Sequence, residues 1–272
     1  MSFQKFLDDL DEAKRELRLK PVEECLFRGS GAKSFGLLPS LHWRYEKSLG
    51  GSGKNLSKDK HLLKLQEIEA SLFWDFSARA RELLSGNLTD WEILFTMRHH
   101  GVATRLLDWT TVVGVAIYFA LDASVSGSKP CIWLLNPYRL NELTAGFKDI
   151  QIPRYLAGQA GAADDWDYGD LLADWDDLGI GWKHPVAVQA PQRDARLHAQ
   201  RGYFTIHGND RRSIHLQSCS KTKLSDFLRC VEMPADARSD AKAFLRRAGI
   251  DRYLLFPDLD NLGRLLHETY GL

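Results

Sequence analysis

The chain has no excess of either charge: its 272 residues carry 36 Lys and Arg against 36 Asp and Glu. A strongly basic protein is drawn to nucleic acid or anionic lipid by its net field, and this balance removes that pull, leaving only local patches. Cysteine is scarce as well. Cys25, Cys131, Cys219 and Cys230 are widely scattered, form no Cys-x-x-Cys pair and have no histidine at metal spacing. A disulfide framework and a zinc site are therefore not expected, and the thiols read as reduced, as in a cytosolic protein. No stretch approaches the ~18 uninterrupted apolar residues of a membrane span. The opening MSFQKFLDDLDEAKREL has acids in its first ten residues and no apolar core of signal-peptide length. A cytoplasmic protein without a membrane partner is expected, and no internal repeat is visible.

What is present is an ordinary packed composition, 44% apolar and 11% aromatic, enough for a sizeable core. Phe3, Phe6, Leu7, Leu10, Ala13 and Leu17 recur at helical spacing, so residues 3–18 predict an amphipathic helix. Glu23 to Phe27 reads as a short strand. Past the SLGGSGKN linker, Leu62, Leu65, Ile68, Leu72, Phe73, Phe76 and Ala80 mark one face of a helix from Lys58 to Leu84, ended by Gly86. Thr89 and Glu92 have capping-box spacing ahead of a helix from Asp90 to His99. VATRLLDW is a strand or extended turn, and the all-apolar VVGVAIYFAL a buried helix.

Strands follow at 130–135, 186–188, 203–207 and 228–233, with a short helix at 192–200 and a helix at 235–248 stopped by Gly249. Residues 253–256 read as extended and 257–270 as helical. The segment 146–184 breaks this order. Seven aspartates and three tryptophans within 158–182, without clean periodicity, predict a surface insertion, a solvated loop gating a cleft, with no EF-hand spacing among its acids. Strands standing singly between helices support a single α+β domain, with mixed or antiparallel sheets flanked by helices. Residues 1–22 form an N-terminal helix before a domain at 23–272.

Chemistry concentrates in two places. Arg28 leaves an apolar run beside Gly29, where a guanidinium can clamp an anion or simply pair with a surface acid. The block from Arg98 to Thr110 holds His99, His100, Thr104, Arg105 and Asp108. Arg105, beside Leu106 and Leu107 and ahead of a buried helix, needs an anionic partner, and Asp108 is the near candidate. Asp108, Thr110 or Thr111 can instead cap the buried helix. His99 and His100 can serve as acid and base or cap a helix C-terminus. No metal ligand set is identified.

The blocks FRG with a following PSL, HHGVATRLLDWT with VAIYFAL behind it, RLHAQRGYFTIHG, and LFPDLDNL resemble, in order and rough spacing, the FRG domain family over about residues 24–264. The layout of that family is similar to ADP-ribosyltransferases of the arginine-serine-glutamate type. The resemblance implies an ADP-ribosyltransferase-like core, with NAD as substrate held by Arg28 and Gly29, Thr104, Arg105 and His100 around it, and Arg28, Gln200 and Asp108 as catalytic residues. Gln200 stands where that type has glutamate, and Asp108 is the substitute carboxylate. The implied activity is glycosyl transfer or NAD hydrolysis at the nicotinamide ribose, with a protein or nucleic-acid acceptor, in a bacterial toxin or antiviral defence effector. Two other readings stay open: a non-catalytic nucleotide, nucleic-acid or protein binding module, and a nuclease using His99, His100 and Asp108.

Overall fold

Helix and strand boundaries follow the apolar spacing closely in the computed structural model, which describes residues 2–49, 58–84, 88–150, 152, 168, 172, 183–190, 199–219 and 221–272. Helix α1 (Phe3–Glu16) starts at Ser2, whose hydroxyl accepts from the Lys5 amide, and buries Phe6, Leu10 and Ala13. Strand β1 (Leu26–Ser30) begins three residues later than the expected Glu23, so the FRG triplet is strand interior. The run after Leu38, which has no strong periodicity, forms α2 (Ser40–Ser48), and α3 spans Lys58–Ala80. Helix α4 (Asp90–His99) opens with the expected capping box: the Thr89 hydroxyl accepts from the Glu92 amide at 3.3 Å and Glu92 Oε2 accepts from the Thr89 amide at 2.9 Å.

Strand β2 (Leu106–Thr110) leads through two residues into α5 (Val113–Asp122), then β3 (Cys131–Leu135) and α6 (Pro137–Thr144). No side chain caps α5. Its N-cap is Val112, so the capping role considered for Asp108, Thr110 and Thr111 is not used. Strands β4 (Val186–Val188), β5 (Gly202–Ile206), the ribbon β6 (Ser218–Cys219) and β7 (Thr222–Lys223), and β8 (Leu228–Glu232) follow. Helices α7 (Arg238–Arg247), α8 (Arg252–Leu255) and α9 (Leu259–Tyr270) close the chain. Of residues 253–256, expected to be extended, the first three instead lie in the short α8, because the Asp251 carboxylate accepts from the Leu254 amide at 2.7 Å and starts a helical turn. The helix expected at 192–200 and its neighbours lie mostly outside the described residues.

Six strands form one antiparallel sheet in the order β4-β5-β2-β1-β3-β8. Alternation along the strands sorts the core by face. Leu26, Leu107, Trp109, Trp133, Leu135 and Ala187 share one cluster on one face. On the other, Phe27, Ile132 and Leu134 pack with α1, α5 and α7, while Leu106, Phe204, Ile206 and Val186 pack with α3 and α4. That second face thus carries two separate clusters with a gap between them.

The gap coincides with a weak seam. Strands β1 and β2 pair at one position, Phe27 with Thr110, whereas β1 with β3 and β2 with β5 each pair at five. The strands splay from there. Helix α5 lies so close over β1 that a Cβ on Gly29 would sit 2.0 Å from the Ala116 carbonyl oxygen, and one on Gly31 would sit 2.0 Å from that of Ala123. Both glycines are set by helix-on-strand contact, so Gly29 serves packing on that side rather than approach of a ligand. The acid-rich segment is mostly outside the described residues, but Tyr168 within it is fully buried against Phe73 and Trp91, an anchor that a solvated loop did not predict.

Candidate functional site

Between the two clusters lies a cavity of about 330 Å³, within the size range of small-molecule sites. Its floor is the β1–β2 seam: Phe27, Arg28, Gly29, Asp108, Trp109 and Thr110. Helix α4 contributes Phe95, Arg98 and His99, α5 contributes Ala116, Phe119 and Asp122, and the start of β5 contributes Gln200, Gly202, Tyr203 and Phe204. Sequence separations of 80 to 170 residues are thereby closed, because β5, β2 and β1 are neighbours in the sheet.

Asp108 is the electrostatic centre. Arg98 donates through Nε to Oδ1 at 2.9 Å and through Nη2 to Oδ2, a two-pronged pair. Arg28 Nη1 donates to the Asp108 backbone carbonyl at 2.8 Å and lies 3.5 Å from Oδ2. Burial disfavours the Asp108 charge, but Arg98 first and Arg28 second hold the carboxyl well below the usual carboxylate range. It is a permanent anion, unsuited to proton transfer near neutral pH.

Gln200 Nε2 donates to the Leu255 carbonyl at 2.9 Å, and the Gln200 carbonyl accepts from Thr110 Oγ1 at 2.6 Å. The following Arg201 adopts φ 42°, a left-handed conformation that costs roughly 1–2 kcal/mol for a non-glycine residue and turns the chain into β5. Gln200 is thus fixed by both side chain and backbone.

The structure brings Arg28, Gly29, Asp108 and Gln200 to one cavity and leaves the other expected residues elsewhere. Thr104 is buried under α2: its amide donates to Ser40 Oγ at 3.2 Å and its carbonyl accepts from the Leu41 amide at 3.1 Å. Arg105 does not meet Asp108. It is buried against Glu69, with Nε to Oε1 at 2.6 Å and Nη2 to Oε2, and its Nη1 donates to the His207 carbonyl at 3.0 Å. Arg105 lies one residue before β2 and reaches back to Glu69 of α3, whereas Asp108 within the strand lines the cavity. His100 ends α4 in an exposed position, while His99 lines the cavity.

Behind Arg28, His42 and His207 stack edge to face with ring centroids 6.0 Å apart, both fully buried. Burial and the Arg105 charge push His42 down to about 3, and burial, with proton competition from the adjacent His42 ring and the Arg105 charge, pushes His207 well below the ordinary range. Both are neutral imidazoles.

Residues 23–128 match the FRG domain family. No curated protein and no solved structure matches the chain. The FRG match contains Arg28, Arg98, Asp108, Thr110 and Phe119 and stops before Gln200, so the later blocks RLHAQRGYFTIHG and LFPDLDNL fall outside it. The cavity is built from both parts. Among the described residues, no group of three or more His, Cys, Asp or Glu is arranged to hold a metal, and no helix is long and apolar enough to cross a membrane.

Sequence reasoning missed Arg98, Asp122 and Glu69. Arg98 adjoins the HHG block, but its partner lies 10 residues on, a spacing no helix or strand rule links. Glu69 did carry a signal. It interrupts the Leu65, Phe73 face of α3 at i+4 spacing, and an acid in an apolar stripe demands a buried cation.

Proposed function

We propose that the cavity binds NAD and supports cleavage or transfer at the nicotinamide ribose, with Arg28 as the group that holds the dinucleotide. The observation that carries this reading is the Arg28 guanidinium, 25% exposed, at the splayed β1–β2 seam in a cavity shared with Asp108 and Gln200. The three elements that the resemblance to arginine-serine-glutamate transferases singles out, a first-strand Arg, a second strand running into a helix, and a later strand start, are the adjacent strands β1, β2 and β5 here. A cavity of this volume takes the nicotinamide ribose and neighbouring phosphate, with the adenosine toward the surface.

In the reaction, the bond between nicotinamide and ribose C1′ breaks and nicotinamide leaves with the electron pair. The sugar cation is then captured by water or by an acceptor hydroxyl, amine or carboxylate. A nucleophile carrying a proton loses it. Arg28 holds phosphate oxygens, Phe95, Phe119 and Tyr203 supply apolar walls that exclude water, and Gln200 presents an amide beside the sugar. A glutamate there would stabilise the cation by charge, whereas an amide offers only a dipole, so turnover is expected to be slow.

A second reading, a nucleotide-binding module without turnover, draws on the same details. Gln200 is neutral and tied to Leu255, Asp108 is taken by Arg98, and Asp122 lies 3.7 Å from Arg252. Incubation of the purified protein with NAD, read as released nicotinamide, separates the two. The transferase reading expects release by the wild type, loss of about 10²-fold or more in Arg28→Ala, and a gain in Gln200→Glu. No release by either wild type or Gln200→Glu, with NAD binding lost in Arg28→Ala, leaves the binding module. NAD affinity that is equal in wild type and Arg28→Ala sinks both.

A further inference from the structure

Two guanidiniums share Asp108 unequally. Arg98 meets both carboxylate oxygens, whereas Arg28 makes its short bond to the backbone carbonyl of Asp108 and approaches Oδ2 only at 3.5 Å. A backbone carbonyl orients a guanidinium without neutralising it. Two cations and one anion leave one positive charge over, and the bonding pattern puts it on Arg28 rather than Arg98. The acidities agree: burial lowers the pKa of Arg28, with Asp108 offsetting this and Arg98 adding to it, while Asp108 holds Arg98 above its ordinary value. Asp122, the other acid lining the cavity among the described residues, already has Arg252. Ser40 Oγ, 3.3 Å from Arg98 Nη1, fixes the far side of the Arg98 fork.

We propose that Arg98 sets the anion affinity of the cleft: by holding both oxygens of Asp108 it keeps Arg28 unneutralised and able to take a phosphate or pyrophosphate oxygen. This rests on the reading of the cavity as a nucleotide site and narrows it to ligands that carry a pyrophosphate. Arg98 is a positioning residue that acts through Asp108. Removing it turns the Asp108 carboxylate toward Arg28, where the protein's own acid would compete with the ligand. Removing both Arg98 and the Asp108 charge frees Arg28 again.

The test is a titration of the whole chain with inorganic pyrophosphate and, separately, ADP-ribose, with thermal unfolding measured for each variant. Wild type binds both probes. Arg98→Gln weakens binding on the order of tenfold, the scale of one charge contact in a partly buried site. Asp108→Asn, which keeps the backbone carbonyl, strengthens binding by a similar factor. The double variant Arg98→Gln/Asp108→Asn recovers wild-type affinity or better, a reciprocal rescue that loss of local packing does not produce. Unchanged affinity in Arg98→Gln, weaker binding in Asp108→Asn, or no pyrophosphate binding by the wild type overturns the proposal. If Arg98→Gln fails to fold, the direction of the Asp108→Asn change decides alone. Pyrophosphate binding with this pattern but without nicotinamide release would sink the transferase reading and leave Arg98 its role. Nicotinamide release with wild-type affinity in Arg98→Gln does the reverse.

Discussion

Replacing Glu69 by Gln removes the carboxylate that pairs with the buried Arg105 guanidinium between α3, β2 and β5. The Glu69 and Arg105 side chains are 4% and 3% exposed, so water cannot replace the lost partner. Arg105 would keep its bond to the His207 carbonyl at 3.0 Å, and the Tyr168 hydroxyl, 2.5 Å from Glu69 Oε1, would keep an amide oxygen to donate to. Hydrogen bonding is therefore largely preserved and charge neutrality is not. Breaking a buried ion pair in this way costs about 3–5 kcal/mol. At about 2–4 °C per kcal/mol for a chain of this size, the melting temperature should fall by roughly 6–20 °C. Urea unfolding gives the same quantity as a lower midpoint at unchanged slope. The decisive control is Glu69→Gln with Arg105→Met: with both charges gone, no uncompensated cation remains, and the double variant should be more stable than Glu69→Gln alone. A loss below about 1 kcal/mol in Glu69→Gln, the range of a surface pair, or a double variant less stable than the single, would refute the view that charge pairing at Arg105 is what the buried network supplies.

Two further outcomes follow from packing and protonation. Gly29→Ala places a Cβ 2.0 Å from the Ala116 carbonyl oxygen and 2.5 Å from the Ala120 amide nitrogen, so α5 must shift and the melting temperature should drop sharply. Gly101→Ala, with nothing within 4 Å but φ 77°, should cost only about 1 kcal/mol. Equal losses in the two variants would contradict the close approach of α5 to β1. His42 titrates near 6.5 when unfolded and is pushed down to about 3 when folded, so the unfolded chain binds more protons between those values and stability falls as pH drops below 6.5. At pH 5 the His42 share is roughly 2 kcal/mol. His42→Asn should flatten the stability slope between pH 6.5 and 5, and an unchanged slope would place the proton uptake elsewhere.

The periodicity of single segments carried most of the secondary structure. The α1 face, the Thr89–Glu92 box and the buried character of α5 are local properties, readable because an apolar stripe or a capping pair needs only its own neighbours in the chain. Where local signals compete, the reading failed: Asp251 starts a helical turn at residues the apolar run 253–256 suggested were extended. The FRG triplet and the polar block ahead of α5 stood out as concentrations of polar chemistry, and Arg28, Asp108 and Gln200 do line one cavity.

What the sequence left open is which charge faces which. Arg105 and Asp108 are three residues apart, yet the first, just ahead of β2, meets Glu69 of α3 and the second, within β2, meets Arg98 and Arg28. Likewise, Gly29 was expected beside a bound dinucleotide, and the approach of α5 turned out to be what forbids a side chain there. Sequence by itself determined the elements and the residue types available for chemistry, since both depend on short-range spacing. Only the sheet order, with β1 and β2 joined at one position and β5 beside them, decided which of those residues share a cavity, because strand neighbours are chosen by burial over the whole chain.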